Sequence, residues 1–199
     1  MSAFAAAFVI AFIAVLLVEL PDKTLVATLV LSTRYRRGPV LLGVAAAFAV
    51  QCVIAVTAGG VLRLLPDRVL EGVVAALFAT GAVLLLREGF ASSNDDEDAE
   101  VTPTGELSNR RIAAISFGVL FAAEWGDASQ LATAGLVARY GEPVAVGLGA
   151  LLALVGVAVI AASLGRVVLR RVPLHWIQRA AGLLFAAFAV AAGVTAVRG

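Results

Sequence analysis

Two short stretches of this chain decide its fold: residues 19–24 read Glu-Leu-Pro-Asp-Lys-Thr, and residues 124–129 read Glu-Trp-Gly-Asp-Ala-Ser. Each stretch carries two acids three positions apart, and each is embedded in a long apolar sequence. On a helix this spacing places both carboxylates on one face. The second stretch follows the first at an offset of 105 residues. The pair of motifs therefore indicates a duplicated architecture built around buried acidic groups.

The duplication extends beyond the two motifs. At the same offset, further residues match in type: Ala27 with Ala132, Thr28 with Thr133, Arg34 with Arg139 and Tyr35 with Tyr140. After a one-residue gap, the match continues with Pro39 and Pro143, Val40 and Val144, and Gly43 and Gly147. We therefore predict two repeats, residues 1–90 and 111–199. They are joined by an acidic linker, residues 91–110, which is too poor in apolar residues to pack.

The composition predicts a membrane protein. The 199 residues are 61% hydrophobic and only 15% charged, whereas a soluble domain has about 25% charged residues. A bilayer core about 30 Å thick takes about 20 apolar residues per helix, and six apolar runs are present. They cover residues 3–33, 39–62, 69–88, 111–137, 143–165 and 174–197. Since backbone groups in lipid must bond within their own segment, we predict an all-α protein with six transmembrane helices.

The topology follows from the number of runs and from the arginines. Three runs in each half bring the second half in from the opposite side, so we expect two inverted three-helix repeats that meet at a midplane site. The face of loops 1, 3 and 5 carries ten arginines: Arg34, Arg36, Arg37, Arg87, Arg110, Arg111, Arg166, Arg170, Arg171 and Arg179. The opposite face carries four: Arg63, Arg68, Arg139 and Arg198. This bias predicts an inner (plasma) membrane protein with a cytoplasmic linker and both termini outside.

Five charges cannot be placed in a loop or near the end of an apolar run: Glu19, Asp22, Lys23, Glu124 and Asp127. A charge at bilayer depth costs at least about 2.5–3.5 kcal/mol. Four acids against one lysine therefore require a bound cation or protons. Carboxylate oxygens are the ligands that hard divalent cations prefer, and a buried carboxylate cluster also holds protons. We expect the four acids to form one cation site that exchanges the cation for protons.

Other polar side chains near the motifs offer oxygen ligands or supporting hydrogen bonds: Thr24, Ser129, Gln130, Gln51, Thr28 and Thr133. We rank Gln130 first because it lies within one turn of Asp127 and is uncharged in an apolar run. Each of these groups is equally able to satisfy a neighbouring backbone group. Lys23 is either a tethered counter-ion of the acids or a partner in a structural salt bridge.

Several classes of function are disfavoured. The net charge of +1 gives no sign of a nucleic-acid partner, and the single cysteine, Cys52, excludes an intrachain disulfide. The single histidine, His175, offers no cluster for zinc or copper. No cofactor is expected. No enzymatic activity is expected either, because an intramembrane aspartyl protease needs two aspartates as a pair, whereas each aspartate here has a glutamate partner. An exporter of amino acids or other small solutes with a similar six-helix plan is the alternative, and a homo-oligomer is compatible with the sequence.

The duplicated motif resembles Glu-x-Gly-Asp-(Lys/Arg)-(Thr/Ser) of the GDT-type calcium/manganese:proton exchanger family, and the resemblance covers the whole chain. It implies a secondary transporter that exchanges Mn2+, or alternatively Ca2+, for protons. In a bacterium it would export Mn2+. The resemblance also implies that the metal is bound by the four acids: Glu19, Asp22, Glu124 and Asp127.

Two positions depart from the family pattern. Pro21 stands where the family has Gly, and Ala128 stands where the family has a basic residue. The missing base leaves the site one positive charge poorer, which bears on metal preference and proton stoichiometry. Between the acids, Pro21 and Gly126 both favour a locally opened helix.

Overall fold

The computed structural model describes residues 2–19, 23–90, 107–171 and 174–198. Within this part of the chain all regular secondary structure is helical, which confirms the predicted all-α class. In chain order the eight helices are α1 (Ala3–Glu19), α2 (Lys23–Arg34), α3 (Arg37–Leu62), α4 (Asp67–Phe90), α5 (Asn109–Ala123), α6 (Ala128–Tyr140), α7 (Pro143–Arg171) and α8 (Leu174–Arg198).

Eight helices occupy the six expected runs, because the first and the fourth run each contain two. In the fourth run α5 ends at Ala123, Gly126 adopts a positive φ of 75°, and Asp127 caps the start of α6. A positive φ is easily adopted by glycine and rarely by other residues, so the motif itself divides this run. The first run holds α1 and α2, and residues 20–22 between them lie outside the described part.

Two of the described helices are long and apolar enough to cross a bilayer by themselves. They are α3 and the Pro143–Ser163 part of α7, while α1 and the Gly182–Val197 part of α8 are shorter apolar helices. At 1.5 Å per residue, the 26 residues of α3 extend about 39 Å, against a bilayer core of about 30 Å. Large apolar side chains such as Leu42 and Val53 are exposed on α3, as suits a helix in contact with lipid.

The contacts between helices repeat from one half of the chain to the other. α1 packs on α7 as α5 packs on α3, and α2 packs on α7 as α6 packs on α3. α1 meets α6 as α5 meets α2, and α4 pairs with α8. The helices α5–α8 therefore take up, in order, many of the contacts of α1–α4. Each interrupted helix pair, α1–α2 and α5–α6, packs against the long apolar helix of the opposite half.

Glycines allow the two equivalent helix contacts to be close. A Cβ atom at Gly43 of α3 would overlap the carbonyl oxygen of Ala113 on α5. A Cβ atom at Gly149 of α7 would collide in the same way with the carbonyl oxygen of Phe8 on α1. Small residues at such crossings let helix backbones approach within the membrane. These two contacts position α1 and α5, the helices that end at the acidic motifs.

The first prediction concerns this close approach. Gly43→Ala is expected to push α3 away from α5 and to lower the thermal unfolding midpoint, because overpacking costs about 1–3 kcal/mol. Gly60→Ala on the same helix is the matched control, since the described residues leave its added Cβ without a neighbour within 4 Å. Thermal unfolding of the detergent-solubilised protein compares the two variants. Equal midpoints for both would contradict the close contact.

Candidate cation site

Three carboxyl groups converge where the two interrupted helix pairs meet. Glu19 is the last residue of α1, Glu124 follows the end of α5, and Asp127 caps the start of α6. One oxygen from each group lies within 4.8 Å of the others. Glu19 and Glu124 are only 0% and 2% exposed, and Asp127 is partly buried. The structure thus brings together three of the four acids that the sequence singles out.

Some of the predicted residues lie outside the described part of the chain. Asp22 is among them, and so are the linker residues 91–106. The side chains of Lys23 and His175 also lie outside it, although their backbones belong to α2 and α8. The roles assigned to these groups from the sequence stay predictions.

The helix ends at the site carry partial charges of both signs. Glu19 and Glu124 lie at the C-terminal ends of α1 and α5, where the negative end of the helix dipole favours a cation. Asp127 lies at the N-terminal end of α6, where the positive end of the dipole favours its carboxylate. Its Oδ1 accepts the backbone N–H of Gln130 at 3.0 Å, and the hydroxyl of Ser129 lies 3.0 and 3.1 Å from its two oxygens. The site therefore combines two acids at cation-favouring helix ends with one acid held by its own helix.

Thr24 joins the two halves at the site. Its buried hydroxyl lies 2.8 Å from Oε2 of Glu19 and 2.5 Å from Oε1 of Glu124. A hydroxyl carries one hydrogen, so it donates to one carboxylate at a time. The other short contact is a hydrogen bond only when that glutamic acid carries a proton and donates it to the Thr24 oxygen. The two glutamates can therefore share a proton through Thr24, or they can bind a cation instead.

The two glutamines bond to the backbone of the α5–α6 interruption. The side-chain oxygen of Gln130 accepts the N–H of Gly126 at 3.1 Å. The side-chain nitrogen of Gln51 donates to the carbonyl oxygen of Phe121 at 3.1 Å. These hydrogen bonds hold the loop that carries Glu124 and Asp127, which is the supporting role expected of groups around a metal site.

Sequence reasoning missed two hydroxyl groups close to this region, Ser32 on α2 and Ser116 on α5. Both are buried among apolar neighbours. A signal was present in the sequence, because Thr24, Thr28 and Ser32 recur every four residues and therefore share one face of α2. Both threonines that the sequence did single out beyond the motifs, Thr28 and Thr133, are buried, and Thr133 donates to the backbone oxygen of Ser129 at 2.8 Å.

Comparison with known proteins places this geometry in context. Residues 7–93 and 112–199 match a family described as divalent cation/proton antiporter GDT1. The GDT1-like protein sll0615 of Synechocystis sp. is 33% identical in an alignment 196 residues long, which covers 92% of this chain and 95% of that protein. The chloroplastic GDT1-like protein 2 of Oryza sativa subsp. japonica is 30% identical in an alignment 223 residues long, which covers 96% of this chain and 60% of that protein. No solved structure gives a significant match.

The second prediction tests the hydroxyl between the glutamates. Thr24→Val keeps the size and the branching of the side chain but removes the hydroxyl, and Thr24→Ser keeps the hydroxyl. The valine variant leaves Glu19 and Glu124 without the hydroxyl, and a buried group that loses its hydrogen bond costs about 1–3 kcal/mol. This variant should therefore unfold at a lower temperature when a chelator keeps the protein free of metal. The serine variant should stay close to the unchanged protein. A valine variant as stable as the serine variant would show that the contact does not contribute.

Proposed function

Because this chain belongs to the GDT1 family of divalent cation/proton antiporters, we propose that Glu19, Asp22, Glu124 and Asp127 bind the transported cation and release it in exchange for protons. The family is one of membrane transporters and not of enzymes, as the sequence predicted, and the apolar helices α3 and α7 agree with a membrane location. The family assignment favours the cation/proton antiporter over the alternative considered from the sequence, an exporter of amino acids or other small solutes. The observation that carries the proposal is the convergence of Glu19, Glu124 and Asp127.

The electrostatics of the cluster support an exchange mechanism. The nearest oxygens of Glu19 and Glu124 lie within 4.8 Å, and both side chains are buried. At an effective dielectric constant of about 20, two negative charges at this distance repel by at least about 3 kcal/mol. A divalent cation between them removes the repulsion, and so does protonation. Binding of one therefore disfavours the other, which is the coupling that an antiporter needs.

The donor set points to a hard cation. The three clustered acids and the hydroxyl of Thr24 supply oxygen ligands only, and such ligands suit Mg2+, Ca2+ and Mn2+. We take Mn2+ as the main cargo and Ca2+ as the second candidate. In a bacterium, proton entry would then drive export of Mn2+ from the cytoplasm. Lys23, next to Asp22 in the sequence, acts in this proposal as a counter-ion when the metal is absent.

We further propose six membrane crossings arranged as inverted repeats, residues 1–90 and 111–199. In this arrangement α1 and α2 together make one crossing, as do α5 and α6, and α3, α4, α7 and α8 make one each. The repeated helix contacts support it, because α1 meets α7 as α5 meets α3. The linker, residues 91–110, lies on the cytoplasmic side of the inner membrane with both termini outside.

The third prediction tests the carboxyl groups in proteoliposomes. Under an imposed pH gradient the unchanged protein should carry Mn2+ and move protons. The same assay is run with Ca2+, with Mg2+ and without metal, and the assay without metal gives the background. Glu19→Gln and Asp127→Asn should each abolish transport, because each removes a titratable ligand while asparagine still caps α6. Glu71→Gln is the control, since its carboxylate pairs with Arg139 away from the cluster.

Two outcomes would overturn this proposal. If none of the divalent ions moves protons, the exchange mechanism is wrong. If both site variants retain full transport, the mechanism stands but the motif acids are not the site. Size-exclusion chromatography of each variant confirms that a loss of transport is not a loss of folding.

The fourth prediction concerns orientation. A cysteine placed within residues 91–106, in a Cys52→Ala background, should not react with a membrane-impermeant maleimide added to intact cells. It should react once the membrane is permeabilised, because the arginine bias predicts a cytoplasmic linker. Labelling of intact cells would overturn the topology without bearing on the cation site.

A further inference from the structure

A line of buried hydroxyl groups leads away from the carboxyl cluster along α2 and α5. On α2 the line begins at Thr24 and continues through Thr28 and Ser32, one helical turn apart. Ser116 lies on α5, which packs on α2, and it shares a helix face with Glu124 eight residues further on. Thr28 and Ser116 are 0% exposed, and Ser32 is 9% exposed.

These hydroxyls differ from the other helical hydroxyls in their hydrogen bonding. Five threonines donate to a carbonyl oxygen of their own helix three or four residues earlier: Thr33, Thr57, Thr80, Thr133 and Thr195. By contrast, the hydroxyls of Thr28, Ser32 and Ser116 have no hydrogen-bond partner among the described residues. A buried unsatisfied hydroxyl costs about 1–3 kcal/mol. Such groups in native proteins call for a partner such as water or an ion.

The packing of α2 on α5 sets these groups at matching depths. α2 runs from the carboxyl cluster towards Arg34, and α5 runs back from Asn109 towards Glu124. Ser32 lies eight residues beyond Thr24, and Ser116 lies eight residues before Glu124, so each is about 12 Å along its helix from the cluster. The neighbours of both serines, Leu31 on α2 and Ile112 and Leu120 on α5, belong to one buried cluster.

The repeat-equivalent helices, α6 and α1, have no such line at the matching positions. The offset of 105 residues relates Ser32 to Val137 and Ala11 to Ser116. Ala11 and Val137 are fully buried members of the other apolar cluster. Thr133, the counterpart of Thr28, is bonded to its own helix. The α1–α6 side of the cluster is therefore apolar where the α2–α5 side is polar.

We propose that Thr28, Ser32 and Ser116 line a hydrated path between the carboxyl cluster and the membrane face at which α2 ends. Water occupies the path in the state open to this face, and the divalent cation passes along it with part of its water shell. The hydroxyls replace lost water contacts without adding charge, so they do not trap the cation. The inference rests on the proposed cation site for the inner end of the path, and its labelling test does not depend on transport.

The path is tested by the reactivity of introduced cysteines in a Cys52→Ala background. Ser32→Cys and Ser116→Cys should react with a membrane-impermeant methanethiosulfonate reagent from the face at which α2 ends, and not from the other face. Val137→Cys and Ala11→Cys, at the repeat-equivalent positions, should react from neither face. Saturating Mn2+ should slow the reaction at residues 32 and 116, because it shifts the protein away from the open state.

The proposal is overturned if the cysteines introduced at 32 and 116 react no faster than those at 11 and 137. Transport assays give an independent measure: Ser116→Val should reduce the Mn2+ transport rate severalfold with unchanged equilibrium Mn2+ binding, and Ser116→Thr should restore the rate. If the unchanged protein carries Mn2+, equal rates for these two variants would also overturn the path. If the cysteines react as expected but the protein carries no Mn2+, the proposed path is supported and Mn2+ as the cargo is rejected. If the protein carries Mn2+ but the cysteines do not react as expected, only the proposed path is rejected.

Discussion

The burial of Glu19 and Glu124 beside each other is the constraint on which the rest of the structure depends. Two carboxyl groups with 0% and 2% exposure are unfavourable in an apolar bundle unless hydrogen bonds, protons or a cation compensate them. One buried hydroxyl supplies part of the compensation, whereas the negative ends of two helix dipoles increase the need for a cation or protons. α1 stops at Glu19 and α5 stops just before Glu124, and Thr24 reaches both side chains.

The helices around the site are held by contacts that involve few charges. Gly43 and Gly149 let α5 and α1 approach the long helices α3 and α7. On the far side, Phe78 of α4 packs edge-on against Phe185 of α8 at a centroid distance of 5.6 Å. The ion pair between Arg139 and Glu71, at 2.9 Å, ties the end of α6 to α4. Apolar packing thus holds these helices together, and the described contacts between them do not depend on the buried acids.

The duplicated chain does not make a symmetric site. Thr24 bridges two glutamates from different halves, whereas its counterpart Ser129 bonds to Asp127 in its own motif. The departures noted in the sequence, Pro21 and Ala128, fall at the same two motifs. An exchanger that binds its cargo from one face and releases it at the other has a use for such differences, because the two faces present different proton and metal concentrations.

The sequence by itself determined the all-helical class, the four candidate acids and the family, because these rest on composition, residue spacing and a duplicated motif. It also indicated the helix interruption at Gly126, since glycine between two acids favours a locally opened backbone. Only the tertiary structure decided which groups meet. Thr24 lies 100 residues from Glu124 in the chain, and α5, which carries Ser116, meets α2 only through the tertiary packing. The reason is physical: helical periodicity assigns a residue to a face of its own helix, whereas the partner of that face depends on which small residues allow two distant helices to approach.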